Sequence, residues 1–187
     1  MSAAWDIVTL RPRDLPAYRA LRERMLREHP TAFTSDAAEE GATPTRALRQ
    51  RLSAGRGHDA GYTLGAWCGT QLVGAVTCER ESRVKARHRA DLMGMMVTPE
   101  CQGQGLGTAL LQACLARARA TEGLELLTLS VTEGNAAALH LYTGVGFRRY
   151  GTLARAIRVD GRHYDKHLMV LELPAPPPVS APSRAAL

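Results

Sequence analysis

Aromatic residues are scarce: Phe, Trp and Tyr together make 5% of the 187 residues. The few present do not interleave with basic residues, so the stacking platform of a single-strand nucleic-acid binder is missing. Lysine is almost absent. Lys85 and Lys166 are the only two, and arginine carries the basic side of the +6 net charge. The arginines are scattered, with one modest cluster in RVKARHR, residues 83–89. That pattern reads as a solvated basic face, and no nucleic-acid partner is expected. The cysteines, Cys68, Cys78, Cys101 and Cys114, form no CxxC pair and suggest neither a disulfide framework nor a zinc site. His163 and His167 are four apart, but no HExxH surrounds them, so no metal is expected. No apolar run approaches the roughly 20 residues of a membrane span. The opening MSAAWDIVTLRPRD shows no basic n-region before an apolar h-region. The expected location is cytoplasmic, with no membrane partner.

What is present fits one globular domain over residues 1–173, followed by a Pro- and Ala-rich tail, residues 174–187, expected to be disordered. WDIVTLRP is a short strand ended by proline. Asp14 is a candidate cap for a helix in which Leu15, Tyr18, Leu21, Met25 and Leu26 recur at helical spacing, stopping near His29 because Pro30 follows. A polar loop leads to a weaker helix near residues 45–54, and GRGHDAG is a loop. YTLGAW and QLVGAVTCERES form a hairpin with Gly69 in its turn. DLMGMMV, residues 91–97, is almost wholly apolar and is expected to be a strand covered on both faces. A helix from Leu106, a strand over residues 124–131, a short helix over residues 135–142 and a final hairpin turning at Asp160-Gly161 complete the order. Strand, glycine turn, helix, strand implies a parallel pair with a crossover helix. The fold class is therefore α/β: a mixed sheet with helices on both faces.

Gly103, Gly105 and Gly107 crowd the start of the third of these helices, although glycine is a poor helix former. The first turn of a helix leaves backbone N–H groups without partners, and with the helix dipole these attract anions. QGQGLGT, residues 102–108, therefore reads as a phosphate cradle placed directly after a strand. It is not a P-loop, which needs a lysine after its last glycine, nor a Rossmann fingerprint, because Thr108 stands where the last glycine belongs.

Gln102-Gly103-Gln104-Gly105-Leu106-Gly107 resembles the Q/R-x-x-G-x-G/A signature of the GNAT N-acetyltransferase superfamily. Downstream, VTEGNAAALHLYTGVGF is similar to the superfamily's second signature, Asn, Ala, Leu-Tyr and Gly-Phe. The resemblance covers the chain from about Trp5 to Leu173. It implies a sheet of about seven strands, mainly antiparallel, with a central splayed parallel pair. It also implies acetyl-CoA as co-substrate, a primary amine of a small molecule or peptide as acceptor, and direct attack in a ternary complex. A fold that keeps CoA affinity but has lost turnover is the alternative.

The residue roles follow from the same resemblance. Backbone amides of Gln102, Gly103, Gln104, Gly105, Leu106, Gly107 and Thr108 would hold the pyrophosphate. Main-chain groups of Met95, Met96 and Val97 would pair with the pantetheine arm. Asn135 would bond that arm or cap its helix, and Ala138 lies on the same face. Tyr142 would protonate the leaving thiolate. Asp91 is the candidate base for the acceptor amine, with Asp165 and Glu79 as further options. The acceptor groove falls on residues 27–40 and on the final hairpin, and Asp36, Glu39 and Glu40 make it acidic, as a cationic amine would require. Homodimers are common in the superfamily, and the final hairpin offers an edge for one.

Overall fold

The computed structural model describes residues 5–52 and 61–174. The GRGHDAG loop falls almost wholly outside the described residues, as does the tail from residue 175. The elements run β1 (Asp6–Thr9), α1 (Leu15–Glu28), α2 (Ala37–Ala42), α3 (Thr45–Leu52), β2 (Tyr62–Cys68), β3 (Gln71–Arg80) and β4 (Arg89–Val97). They continue with α4 (Leu106–Arg119), β5 (Leu126–Thr132), α5 (Ala136–Gly144), β6 (Arg148–Val159) and β7 (Arg162–Glu172).

The strands form one sheet in the order β1-β2-β3-β4-β5-β7-β6. Only β4 and β5 pair in parallel; every other neighbour is antiparallel. This follows from the connections. Tight turns join β2 to β3 and β6 to β7 as antiparallel hairpins, whereas α4 must cross over to return the chain in parallel from β4 to β5. At the last hairpin Asp160 and Gly161 both take positive φ, 48° and 80°, as a primed turn demands.

Helices cover both faces. Leu15, Tyr18, Leu21 and Met25 of α1 pack with Leu48 and Leu52 of α3 against Leu72, Ala75 and Met96 of the sheet. Leu106, Leu110, Leu111, Cys114 and Leu115 of α4 pack on the opposite face with Val73, Val76, Leu127 and Phe147. Leu110 and Leu111 have no exposed surface, so truncating either to alanine should cost about 2–5 kcal/mol. Among the described residues no helix is long and apolar enough to cross a membrane.

Three features depart from the sequence expectations. Residues 37–42 form a helix inside the segment read as loop, started by Asp36, whose carboxylate accepts from Ala38 N at 2.7 Å. Asp14 precedes α1 but its side chain faces backwards, accepting from Arg11 N at 2.8 Å. Most consequentially, β4 is not covered on both faces: Met93 is 40% exposed. The β4–β5 ladder holds only from Arg89 to Asp91, opposite Leu126 to Thr128, after which the strands part. On its other side β4 bulges. Thr77 pairs with Met93 and Ala75 with Met96, so Gly94 and Met95 together face one residue of β3. Gly94 takes φ +60°, which glycine adopts without strain. The apolar run that suggested burial instead lines a cleft.

Candidate active site

The cleft contains two adjoining cavities, of about 630 Å³ and about 290 Å³. The larger runs from the glycine loop along the end of β4 to the C-terminal part of α1. It is lined by Met95, Met96 and Val97, by Gln102, Gly103, Gly105, Gly107 and Thr108, and by Asn135 and Ala138 of the α5 segment. Most residues predicted to hold a cofactor are thus brought together on one surface. Gln104 and Leu106 stand apart. Gln104 turns its side chain back to the Glu100 carbonyl at 2.7 Å, and Leu106 is fully buried in the core.

The backbone conformation answers why glycines occupy this loop. Gly103 and Gly105 have φ of +70° and +88°, and Gly105 is the N-cap of α4. A Cβ at either would meet nothing within 4 Å, so conformation, and not crowding, requires glycine there. Gly107 is helical, and its Cβ would sit 3.6 Å from Leu141, an ordinary contact. The first helical bond of α4 reaching outside it is Ala109 N to Gly105 O. The N–H groups from Gly103 to Thr108 are therefore left for an occupant, in the concave arrangement that suits an anion, whereas the Gln102 N–H, also expected to face the phosphates, already donates to the Pro99 carbonyl at 3.2 Å. Among the described residues no arginine or lysine lines this cavity; His29, His140 and Cys101 are its ionisable side chains.

Where β4 and β5 part, the edge of Met95 to Val97 facing β5 has no strand partner. The side-chain amide of Gln102 donates to the Val97 carbonyl at 3.0 Å, tying the loop to the strand end. Asn135 caps α5, accepting from Ala138 N at 3.0 Å through Oδ1. Its side-chain NH₂ is without a partner among the described residues, and Asn135 lines the cavity. Tyr142 is buried and meets Phe147 edge-on at 5.7 Å. It lies one turn beyond Ala138, next to the cavity-lining Leu141, but is not itself among the lining residues. Burial, and secondarily Cys114, push its phenol well above the ordinary value, so it stays protonated at neutral pH.

Asp91 lies elsewhere. It is exposed on β4, its carboxylate accepts from the Thr128 hydroxyl, and it lines neither cavity. Asp165 accepts from Arg155 N at 2.8 Å, and Glu79 is exposed opposite Asp91; neither lines a cavity.

The smaller cavity adjoins the larger through Ala32 and Phe33, which line both. Its wall is not the acidic one expected. Asp36 is spent as a helix cap, Glu39 is exposed, and Glu40 is buried with Oε2 3.4 Å from Arg22 Nε. Arg22 and Lys166 line the cavity in their place, together with Gly94 of the bulge. Arg22 carried a readable signal: it falls on the apolar stripe of α1, between Tyr18 and Met25. Lys166 carried a weaker one, as one of two lysines in an arginine-rich chain.

The chain is similar to known proteins in sequence and fold. The model of the acetyltransferase (GNAT) family matches residues 18–147. The mycothiol acetyltransferase of Thermobispora bispora is 33% identical over 140 residues, covering 74% of this chain and 44% of its own length. The N-alpha-acetyltransferase RimI of Mycobacterium tuberculosis is 34% identical over 119 residues, covering 63% of this chain and 69% of its own. The crystal structure of a GNAT-family acetyltransferase from Streptococcus pneumoniae superposes with a TM-score of 0.78 at 26% identity, over 91% of this chain and all of that one. The chain spans less than half the length of the mycothiol acetyltransferases it matches.

Proposed function

The chain belongs to the acetyltransferase (GNAT) family, and we propose that it transfers the acetyl group of acetyl-CoA to a primary amine by direct attack. One observation carries the reading. The left-handed glycine loop, the unpaired end of β4 and the α5 cap line a single cavity of about 630 Å³, and that cavity abuts a second at Phe33. The residues present fit CoA: the N–H groups from Gly103 to Thr108 would meet the pyrophosphate, and the β4 edge would offer main-chain groups to the pantetheine amides.

When bound, the cofactor supplies an activated thioester carbonyl. The protein's own groups do the rest. N–H groups from Gly103 to Thr108 anchor the phosphates, with the α4 dipole behind them. The Asn135 side-chain amide and the backbone of Met95 to Val97 orient the arm. A backbone N–H at the splayed edge would donate to the carbonyl oxygen as charge develops there; a preorganised donor of this kind contributes about 3–4 kcal/mol. Tyr142, held neutral beside the cavity-lining Leu141, would donate its proton to the departing sulfur. Phe33, shared by the two cavities, would flank the point where amine and thioester meet. Asp91, which lines neither cavity, is assigned no step.

Calorimetric titration with acetyl-CoA, on the natural protein and on Gly105→Glu, tests the reading. Micromolar binding that the variant loses is the expected result, followed by acetyl transfer in an amine screen. A folded protein that binds no acetyl-CoA overturns it.

A further inference from the structure

The smaller cavity carries a second message. Arg22 and Lys166 are 7% and 8% exposed, so two cationic side chains are nearly buried in one small wall. They are held by consecutive hydroxyls of the segment after α1: Arg22 Nη2 donates to Ser35 Oγ at 3.1 Å, and Lys166 Nζ donates to Thr34 Oγ1 at 2.5 Å. Glu40 faces the Nε side of Arg22 and does not line the cavity. Arg22 Nη1 is buried without a hydrogen-bond partner among the described residues, beside the bulge; a Cβ on Gly94 would lie 3.8 Å from it.

Lys166 has no carboxylate within ion-pair distance among the described residues, and one hydrogen bond for its three donors. A buried ammonium without a counter-charge is costly. Burial accordingly lowers its pKa, which an anion beside it would reverse. A simple cationic amine entering this cavity would meet like charge and leave both sets of donors unpaired. An oxyanion would satisfy them together.

We propose that this cavity holds the carboxylate of the acceptor, so that the amine acetylated belongs to a small amino-acid-like zwitterion. The inference rests on the transferase reading given above. The volume of about 290 Å³ suits a ligand of that size. With its carboxylate on Arg22 and Lys166, such a ligand would extend its amino group past Gly94 towards Phe33 and Met95, where the cavities join. Phe33 is already fixed by Arg22, whose guanidinium carbon lies 5.3 Å from the ring centre.

The test is a panel of L-amino acids, each paired with the amine left by its decarboxylation, such as L-leucine with 3-methylbutylamine and L-phenylalanine with 2-phenylethylamine. The best amino acid should exceed its paired amine in kcat/KM by about a hundredfold. Lys166→Met should collapse that ratio through KM for the amino acid, and Lys166→Arg should largely restore it. Amines acetylated as well as their amino acids overturn the proposal while leaving the transferase reading intact. So does a Lys166→Met variant that loses both substrates equally, which would mark Lys166 as a base or a structural group. Binding gives a readout independent of turnover. N-acetyl-L-leucine should bind the CoA-loaded protein at least tenfold more tightly than N-(3-methylbutyl)acetamide, and equal affinities overturn the proposal. If acetyl-CoA does not bind, the transferase reading fails, and the same two titrations on the bare protein still judge the cavity.

Discussion

Arg24 of α1 donates to Glu100 at 2.5 Å, clamping the helix that borders both cavities to the turn just before the glycine loop. Arg24 also holds Glu28 at 2.8 Å. The hydrogen bond from Arg24 is the chief reason that Glu100 titrates at about 2, below its ordinary 4.5. A carboxyl whose folded pKa is depressed contributes stability that is present above its unfolded value and lost as the pH falls through the folded one. Both side chains are exposed, so salt weakens the link. Glu100→Gln should therefore lower the melting temperature slightly, equally at pH 6 and pH 8, with the deficit shrinking at high salt and below pH 4.5. A deficit that grows on acidification would show that the clamp does not act through the charge of Glu100.

The glycines of the loop should not be equivalent. Gly105→Ala places a Cβ on a left-handed backbone, at a cost of about 1–2 kcal/mol, and should weaken acetyl-CoA binding. Gly107→Ala meets only ordinary contacts and should leave both stability and affinity near those of the natural protein. Chemical denaturation and calorimetry on the two variants check this. Equal losses would show that crowding by the ligand, and not φ, selects glycine.

Tyr142→Phe should lower kcat by about a hundredfold with little change in KM for acetyl-CoA, as expected for a lost proton donor. Because burial raises the phenol's pKa, kcat should show no alkaline loss from this group below pH 10. Asp91→Asn should stay within about threefold of the natural rate, as its place outside both cavities implies; a hundredfold loss would identify it as the general base.

Glu40→Ala should destabilise the fold by about 3 kcal/mol, because it strips a buried guanidinium of its counter-charge. Equilibrium unfolding reads the effect directly. A loss below 1 kcal/mol would mean that Ser35 and Phe33 alone hold Arg22 in place.

Local signals account for what the sequence revealed. The stripe Leu106, Leu110, Leu111, Cys114 and Leu115, the Asn135 cap and the Asp160-Gly161 turn are each written within a few residues, and each forms as expected. The two signatures fall on one cavity because consecutive β-α units place their loops at the same end of the sheet. The bulge at Gly94 was hidden, since nothing distinguishes a bulging glycine from one within an ordinary strand until its partners are known. Helix α2 was missed because AAEEGA is short and contains a glycine. The acidic groove was misread for a physical reason: carboxylates near a cleft need not face it, and here a cap and an ion pair had prior claim on them.

The extra residue in β4 gives one strand two allegiances. Leu92 and Met93, before Gly94, line the smaller cavity and Met95 to Val97, after it, the larger, with only Ala32 and Phe33 common to both walls among the described residues. If the smaller cavity holds the acceptor as proposed, substitutions at Arg22, Thr34, Ser35 or Lys166 would redraw what is accepted without touching the walls of the larger cavity. A lineage, or a protein engineer, can trade one clientele for another while the donor chamber stays as it is.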